Sequence, residues 1–181
     1  GMTMLTHYYS AMSSMIKKGS WKILGVTEAG FYFDELTVEL ISDGCHIPAN
    51  LLKFIFKLKD RDHIIGISDS MRGAGFESGD SILGPKNNGT PVVIEDGVAK
   101  LCDRSCFAGS IATGIRLVKT LSTLAEENMV SVFKTVSYNP ARVIGMENEI
   151  GSLEVGKYGD FIIFDDDYKL DSVYISGEKV R

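Results

Sequence analysis

Two histidines and an aspartate stand at the ends of strand-like runs, a set able to bind a metal ion and move a proton. Residues 2–7 end in His7, residues 36–46 end in Asp43 and His46, and residues 64–70 (Ile-Ile-Gly-Ile-Ser-Asp-Ser) deliver Asp69 into a loop holding Gly73, Gly75 and Gly79. Imidazole is the commonest metal ligand, and a carboxylate beside it can act as general base. Asp69 taken alone could equally cap the turn that follows it, an ordinary role for Asp. A single histidine is likewise more often structural than a ligand. Recurrence at equivalent strand ends is what favours a shared site. The chain has 3 histidines; the third, His63, precedes its strand instead of following it and is expected to be structural.

Such residues need a scaffold that gathers strand ends. Strands buried on both faces read as continuous apolar runs. Helix-like stretches between them then imply a parallel sheet whose polar loops collect at one edge. Pro48 opens one such stretch, in which Leu51, Leu52, Ile55 and Leu58 recur at helical spacing. Pro is favoured near a helix start because its missing N–H costs nothing there. Residues 10–22 carry Ser13, Ser14, Lys17, Lys18 and Gly19 and read as a polar loop or short helix.

Further along, Asp96-Gly97 between two apolar runs within residues 91–101 is a strong hairpin signal. Ser110 is a candidate N-cap for a helix over 111–121. A second helix is expected over 125–137, with Asn139-Pro140 breaking the chain before a short helix at 141–144. Glycine-punctuated β structure follows from Gly151, with strands at 161–164 and 168–176.

Length and composition bound the classes. The 181 residues suffice for one sizeable core, and 44% hydrophobic with 24% charged residues is ordinary for a globular chain. A formal charge of −5 argues against nucleic acid or an anionic membrane as the main partner. No apolar run approaches the roughly 18 residues of a membrane span, and no secretory-leader pattern is present. The 3 cysteines, Cys45, Cys102 and Cys106, cannot all pair, and Cys102-x3-Cys106 has no second pair to complete a zinc knuckle. Buried or half-buried thiols in a reducing cytoplasm are the expectation.

The segments Thr-His-Tyr-Tyr-Ser-Ala-Met (6–12), Ile-Ser-Asp-Gly-Cys-His (41–46), Ile-Ser-Asp-Ser (67–70), Phe-Ala-Gly-Ser (107–110), Asn-Pro-Ala-Arg (139–142) and Gly-Ser-Leu-Glu-Val-Gly-Lys-Tyr-Gly-Asp (151–160) occur in that order. Together they resemble the C-terminal half of the N-acetylglucosamine-6-phosphate deacetylases, amidohydrolases, and the resemblance runs from Thr6 to Val180. The last two segments are general to amidohydrolases; the first four, in this order and spacing, are specific to the deacetylases. The fold this implies is α/β: the last three β/α units of a TIM barrel, with parallel strands, followed by a small β-sandwich-type appendage. Residues 2–146 would form the barrel part, with a β-hairpin insertion near 82–101, and residues 147–181 the appendage.

The resemblance also implies roles. His7 matches a metal-ligand histidine, His46 a histidine that contacts the substrate, and Asp69 the catalytic aspartate. Ser10 and Ala11 fall where the family has Asn-Ala at its phosphate-sugar contact, so Ser10 is a departure. Lys18 lies near the family's phosphate-binding arginine, although Lys17 could equally be the equivalent. Lysine keeps the charge but not the two-pronged geometry of arginine. Phe107, Ala108 and Gly109 match a loop whose backbone meets the sugar. The implied cofactor is a divalent metal ion, zinc or iron, and the implied ligand is an amino-sugar phosphate.

A complete barrel needs about 250 residues. The family's glutamate and further histidine ligands have no counterpart after Thr6, and one imidazole cannot complete a three- or four-ligand site. The expectation is a deacetylase by descent, inactive as this chain alone, that works as a homo-oligomer or with a missing N-terminal half. The rival is a non-catalytic sugar-phosphate-binding or half-barrel partner protein.

Overall fold

The computed structural model describes residues 1–181. In chain order the elements are β1 (Met4–Leu5), β2 (Ile16–Lys18), β3 (Trp21–Ile23), α1 (Val26–Tyr32), β4 (Thr37–Ile41), α2 (Ala49–Leu58), a 3-10 turn (Arg61–His63) and β5 (Ile64–Ile67). The remainder are β6 (Gly79–Leu83), β7 (Thr90–Glu95), β8 (Val98–Leu101), α3 (Gly114–Thr123), α4 (Met129–Phe133), a π turn (Lys134–Tyr138), α5 (Asn139–Val143), β9 (Phe161–Phe164), β10 (Leu170–Ile175) and β11 (Glu178–Lys179). The result is a mixed α/β fold.

The parallel sheet has the order β1-β4-β5, with Leu5 opposite Val38, Val38 opposite Ile64 and Ile41 opposite Ile67. Its apolar runs are β-branched and leucine-rich, as strands buried by helices must be. Val38, Leu40 and Ile64 share a core with Leu52, Ile55 and Phe56 of α2, Val118 and Leu121 of α3, and Val132 of α4. Gly66 lies on that face. A Cβ there would sit 3.1 Å from Val136 and 3.2 Å from Leu121, so glycine lets the helical layer close onto β5.

Ahead of β4, Tyr8 is fully buried, its N–H donating to Glu39 O (2.7 Å) and its hydroxyl to the Thr27 carbonyl. Burial and the neighbouring Tyr9 and Glu28 raise its pKa, so it stays a neutral phenol that pins the chain after β1.

A second, antiparallel sheet of order β6-β7-β8 covers its own core of Val92, Ile94, Ala99, Ala108 and Ile111. Asp96 and Gly97 form the β7–β8 turn with φ of 53° and 76°, the left-handed pair that a two-residue hairpin requires. Residues 106–110 then run back along β8: Ala108 N–H donates to Ala99 O (2.8 Å) and Leu101 N–H to Cys106 O (3.1 Å). A third sheet, β11-β10-β9, is antiparallel and is tied to α3 by the Tyr168 hydroxyl on Ser122 Oγ, 2.8 Å. No helix is long and apolar enough to cross a membrane.

Several local expectations change. Residues 16–23 form a β-ribbon, β2 on β3, instead of a loop or helix; both strands face solvent, so no burial period marks them. β6 was equally silent in the sequence, being a mostly exposed edge strand. Helix α3 starts at Gly114 with Thr113 as its cap residue. Ser110 instead sits in an isolated bridge to Ser70, its hydroxyl accepting from Ala112 N–H at 3.0 Å. The Asn139-Pro140 step does not break the helix: the π turn runs directly into α5, placing Pro140 in its first turn. Cys102 and Cys106 are exposed instead of buried, because residues 102–106 project beyond the end of β8; Cys45 is half-buried, and all three are free.

Candidate functional site

The C-terminal edge of the parallel sheet collects the chemistry. Ser42 N–H donates to Ile67 O (3.0 Å), so β4 and β5 leave the sheet side by side and release Asp43 and Asp69 beyond the same edge. His7 leaves β1 two residues past Leu5, beside β4. His7 and Asp69 both take left-handed backbone conformations, φ 33° and 47°. That region is uncommon outside glycine and is enriched in Asp, Asn and His. Each strand therefore ends in a sharp turn that redirects its polar residue.

The imidazole of His7 is half-buried and its Nδ1 lies 3.1 Å from the Ser10 carbonyl. A carbonyl only accepts, so Nδ1 is the donor and Nε2 keeps its lone pair. That is the tautomer a metal-binding histidine uses, with the second nitrogen fixed by a backbone acceptor. Ser10 N–H closes the turn onto His7 O at 2.8 Å; Ser10 is half-buried and Ala11 exposed, with φ 51°.

Asp69 is exposed. Its carbonyl accepts from Ser110 N–H (3.1 Å), Met71 N–H donates to Ser110 O (2.9 Å), and Ser70 Oγ donates to Ala112 O (2.5 Å). These bonds fasten residues 107–110 to the end of β5. Ala108 is buried, Gly109 is half-buried at φ 85°, and Phe107 is exposed with its ring 5.0 Å from that of His46. The structure thus brings Asp69, His46 and the 107–109 loop to one edge of the fold. Lys17 and Lys18 lie exposed on the β2–β3 ribbon and make no ion pair.

Two further residues hold this edge together through contacts that the sequence alone does not assign. Asp43 is the partner of His46: its Oδ2 accepts from Nδ1 at 2.7 Å, while Oδ1 accepts from the N–H groups of Cys45 (2.8 Å) and His46 (2.9 Å). Burial alone would raise the Asp43 pKa; the His46 ring and the two backbone donors outweigh it and hold the carboxyl below the ordinary aspartate range. The Asp-x-x-His spacing was the available signal. Arg116 is the other. Its Nε and Nη2 bind the Asp43 carbonyl at 3.0 and 2.7 Å, and Nη1 binds the Gly97 carbonyl at 2.8 Å. Seventy-three residues separate it from Asp43, so no local pattern announces it. The nearby Cys45 thiol is pushed up by burial and by the Asp43 charge, which keeps it protonated.

No group of three or more His, Cys, Asp or Glu converges to hold a metal ion. His7 has the right tautomer, but the donor set within this chain does not by itself fit a complete divalent-metal centre. A surface cleft of about 550 Å³ lies elsewhere, around Asp60, Arg61, Asp62 and Lys134 at the opposite end of β5. Three of its cations are engaged within the chain: Lys134 with Asp62, Arg61 with Glu127, and Lys59 with the carbonyls of Phe33 and Asp34.

Comparison with known proteins adds a lineage to this geometry. The model of the amidohydrolase family matches residues 13–180. An N-acetylglucosamine-6-phosphate deacetylase of Vibrio furnissii is 27% identical over 176 residues, covering 97% of this chain and 42% of that protein. Its counterpart from Lysinibacillus sphaericus is 30% identical over 166 residues, covering 92% of this chain and 40% of the other. The crystal structure of an N-acetylglucosamine-6-phosphate deacetylase from Thermotoga maritima superposes with a TM-score of 0.85 at 27% identity, over 99% of this chain and 47% of that one. The chain spans less than half the length of these relatives.

Proposed function

The chain belongs to the amidohydrolase family, and from that premise we propose that it is part of an enzyme that removes acetate from N-acetylglucosamine 6-phosphate. The observation that carries the reading is the shared edge of the β1-β4-β5 sheet, beyond which the chain places His7, Asp43 with His46, and Asp69. In this reading the sheet is the last three strands of a (β/α)8 barrel spanning residues 2–146, with a hairpin inserted near 82–101. Residues 147–181 form the β appendage.

Asp69 is the acid–base group. Its exposed carboxylate takes a proton from the attacking water as the water oxygen bonds to the acetamide carbonyl carbon. It then gives that proton to the sugar nitrogen as the C–N bond breaks, leaving acetate and the amine. The Nε2 of His46 faces the ligand, and the backbone of Phe107, Ala108 and Gly109 borders the sugar. Ser10, Ala11 and Lys18 lie on the side of the phosphate. His7 is the metal-side histidine. Amidohydrolases generally use a divalent metal, but one imidazole does not make a centre, and the remaining ligands must come from polypeptide outside these residues.

The missing donor set also favours a second reading, in which these 181 residues bind the sugar phosphate without turning it over. One pair of measurements separates the two. Titration of the isolated chain with N-acetylglucosamine 6-phosphate should perturb His46 and Phe107 while acetate release stays at background with added zinc or iron. Complementation with the polypeptide that supplies the other ligands should restore release, and Asp69→Asn should abolish it. Complemented turnover that survives Asp69→Asn removes the aspartate from its role, and no affinity for the sugar phosphate ends the substrate assignment.

A further inference from the structure

Asp43 is the most enclosed charged group at the C-terminal edge, its side chain 0% exposed, and it faces an imidazole that is itself 10% exposed. Its two oxygens have separate tasks. Oδ1 takes the backbone N–H groups of Cys45 and His46, and Oδ2 takes His46 Nδ1 at 2.7 Å. The ionised carboxylate has no proton to give, so the ring hydrogen resides on Nδ1, and in the neutral imidazole Nε2 carries a lone pair. Nε2 has no hydrogen bond within the protein and is not closed off from solvent. The Phe107 ring, 5.0 Å away, limits the swing of the imidazole on one side. Arg116 clamps the Asp43 carbonyl from behind with two donors and reaches the β7–β8 turn with a third.

We infer that Asp43 is a positioning residue that makes His46 a hydrogen-bond acceptor toward the bound sugar, by fixing its proton on Nδ1 and presenting the Nε2 lone pair to a ligand hydroxyl or amide N–H. The inference rests on the reading of His46 as the residue that meets the substrate, and it adds a direction: the ligand donates and the protein accepts. Arg116 supports the same geometry through the backbone of the loop.

The isosteric change Asp43→Asn tests it, because the two backbone donors dictate how the amide must sit. Its oxygen has to remain on the Cys45 and His46 N–H groups, which turns its NH2 toward His46 Nδ1. A donor facing Nδ1 forces that nitrogen to accept, the ring proton moves to Nε2, and the outward atom changes from acceptor to donor. Long-range ¹H–¹⁵N NMR on the full chain, at a pH where the ring is neutral, reads this directly. The wild type should show His46 protonated at Nδ1, and Asp43→Asn should show it protonated at Nε2. Affinity for N-acetylglucosamine 6-phosphate should fall about tenfold, the equivalent of one net hydrogen bond.

An Nε2–H tautomer in the wild type overturns the inference even if the variant fails to fold, and so does an Asp43→Asn chain that keeps Nδ1–H. A wild-type chain with the Nδ1–H tautomer and no sugar-phosphate affinity upholds the role of Asp43 toward His46 and sinks the substrate reading instead.

Discussion

Asp43 keeps its charge in a place where burial opposes it, and that tension has a measurable consequence. Its folded-state pKa lies below the ordinary aspartate value of about 4 because the His46 and backbone donors overcome desolvation. A carboxyl with a depressed folded pKa contributes stability above its unfolded pKa, and that contribution is lost as pH falls through the folded value. Urea midpoints of the wild type should therefore drop between about pH 4 and the lower folded pKa. Asp43→Asn, which cannot ionise but retains the backbone contacts, should show a flatter profile over that interval. Equal acid sensitivity in both proteins would assign the loss to other carboxylates. At this scale residue type carried much of the information. His7, His46 and Asp69 were marked by standing at strand ends, where a sequence can be read for chemistry. The partnership of Asp43 with His46 depends on which oxygen meets which donor, and the clamp by Arg116 depends on chain closure over 73 residues; neither is a local property.

Among the elements, α5 shows how a family motif can serve the scaffold. Asn139 is fully buried and its Nδ2 donates to the carbonyls of Arg61 (2.6 Å) and Ile64 (2.8 Å), while Arg142 reaches the Asp62 carbonyl. The Asn-Pro-Ala-Arg segment thus holds the start of β5, the strand that delivers Asp69 at its other end. Asn139→Ala leaves two backbone acceptors without this partner, but it also removes the unpaired Oδ1. A cost of about 2 kcal/mol is expected, near the middle of the roughly 1–3 kcal/mol range for buried polar groups stripped of a partner. Denaturant unfolding should show it as a lower midpoint at unchanged slope; a midpoint within error of wild type would mean that the packing of α5, not these bonds, fixes β5. The buried strands, the Asp96-Gly97 hairpin and helix α2 were legible because burial imposes a period and a turn demands particular residues. The β2–β3 ribbon and β6 were not, since strands bathed in solvent need no apolar pattern. The π turn was hidden too: Pro140 reads as a stop, and only the surrounding packing shows the helix absorbing it.

At the scale of the molecule, the parallel sheet ends on both sides in strands without a further partner, β1 and β5. Open strand edges are templates for pairing with another chain. The β2–β3 ribbon compounds this by presenting Trp21 (80% exposed) and Ile16 (59% exposed), with Ile23 and Leu24 beside them. In the relatives, more than half of the polypeptide lies outside the matched region and is available to cover the equivalent surfaces. A net charge of −5 is modest opposition to association through apolar groups. The isolated chain should therefore self-associate, and light scattering after size separation should give a mass of two chains or more. Trp21→Lys combined with Ile16→Lys should shift that mass toward one chain. Because both side chains face solvent, the pair should alter unfolding free energy by no more than about 0.5 kcal/mol per site. That combination, less association at constant stability, distinguishes a contact surface from a damaged fold. A single-chain mass for the unmodified protein would show that the edges are already shielded within one copy and would remove the need for any covering polypeptide.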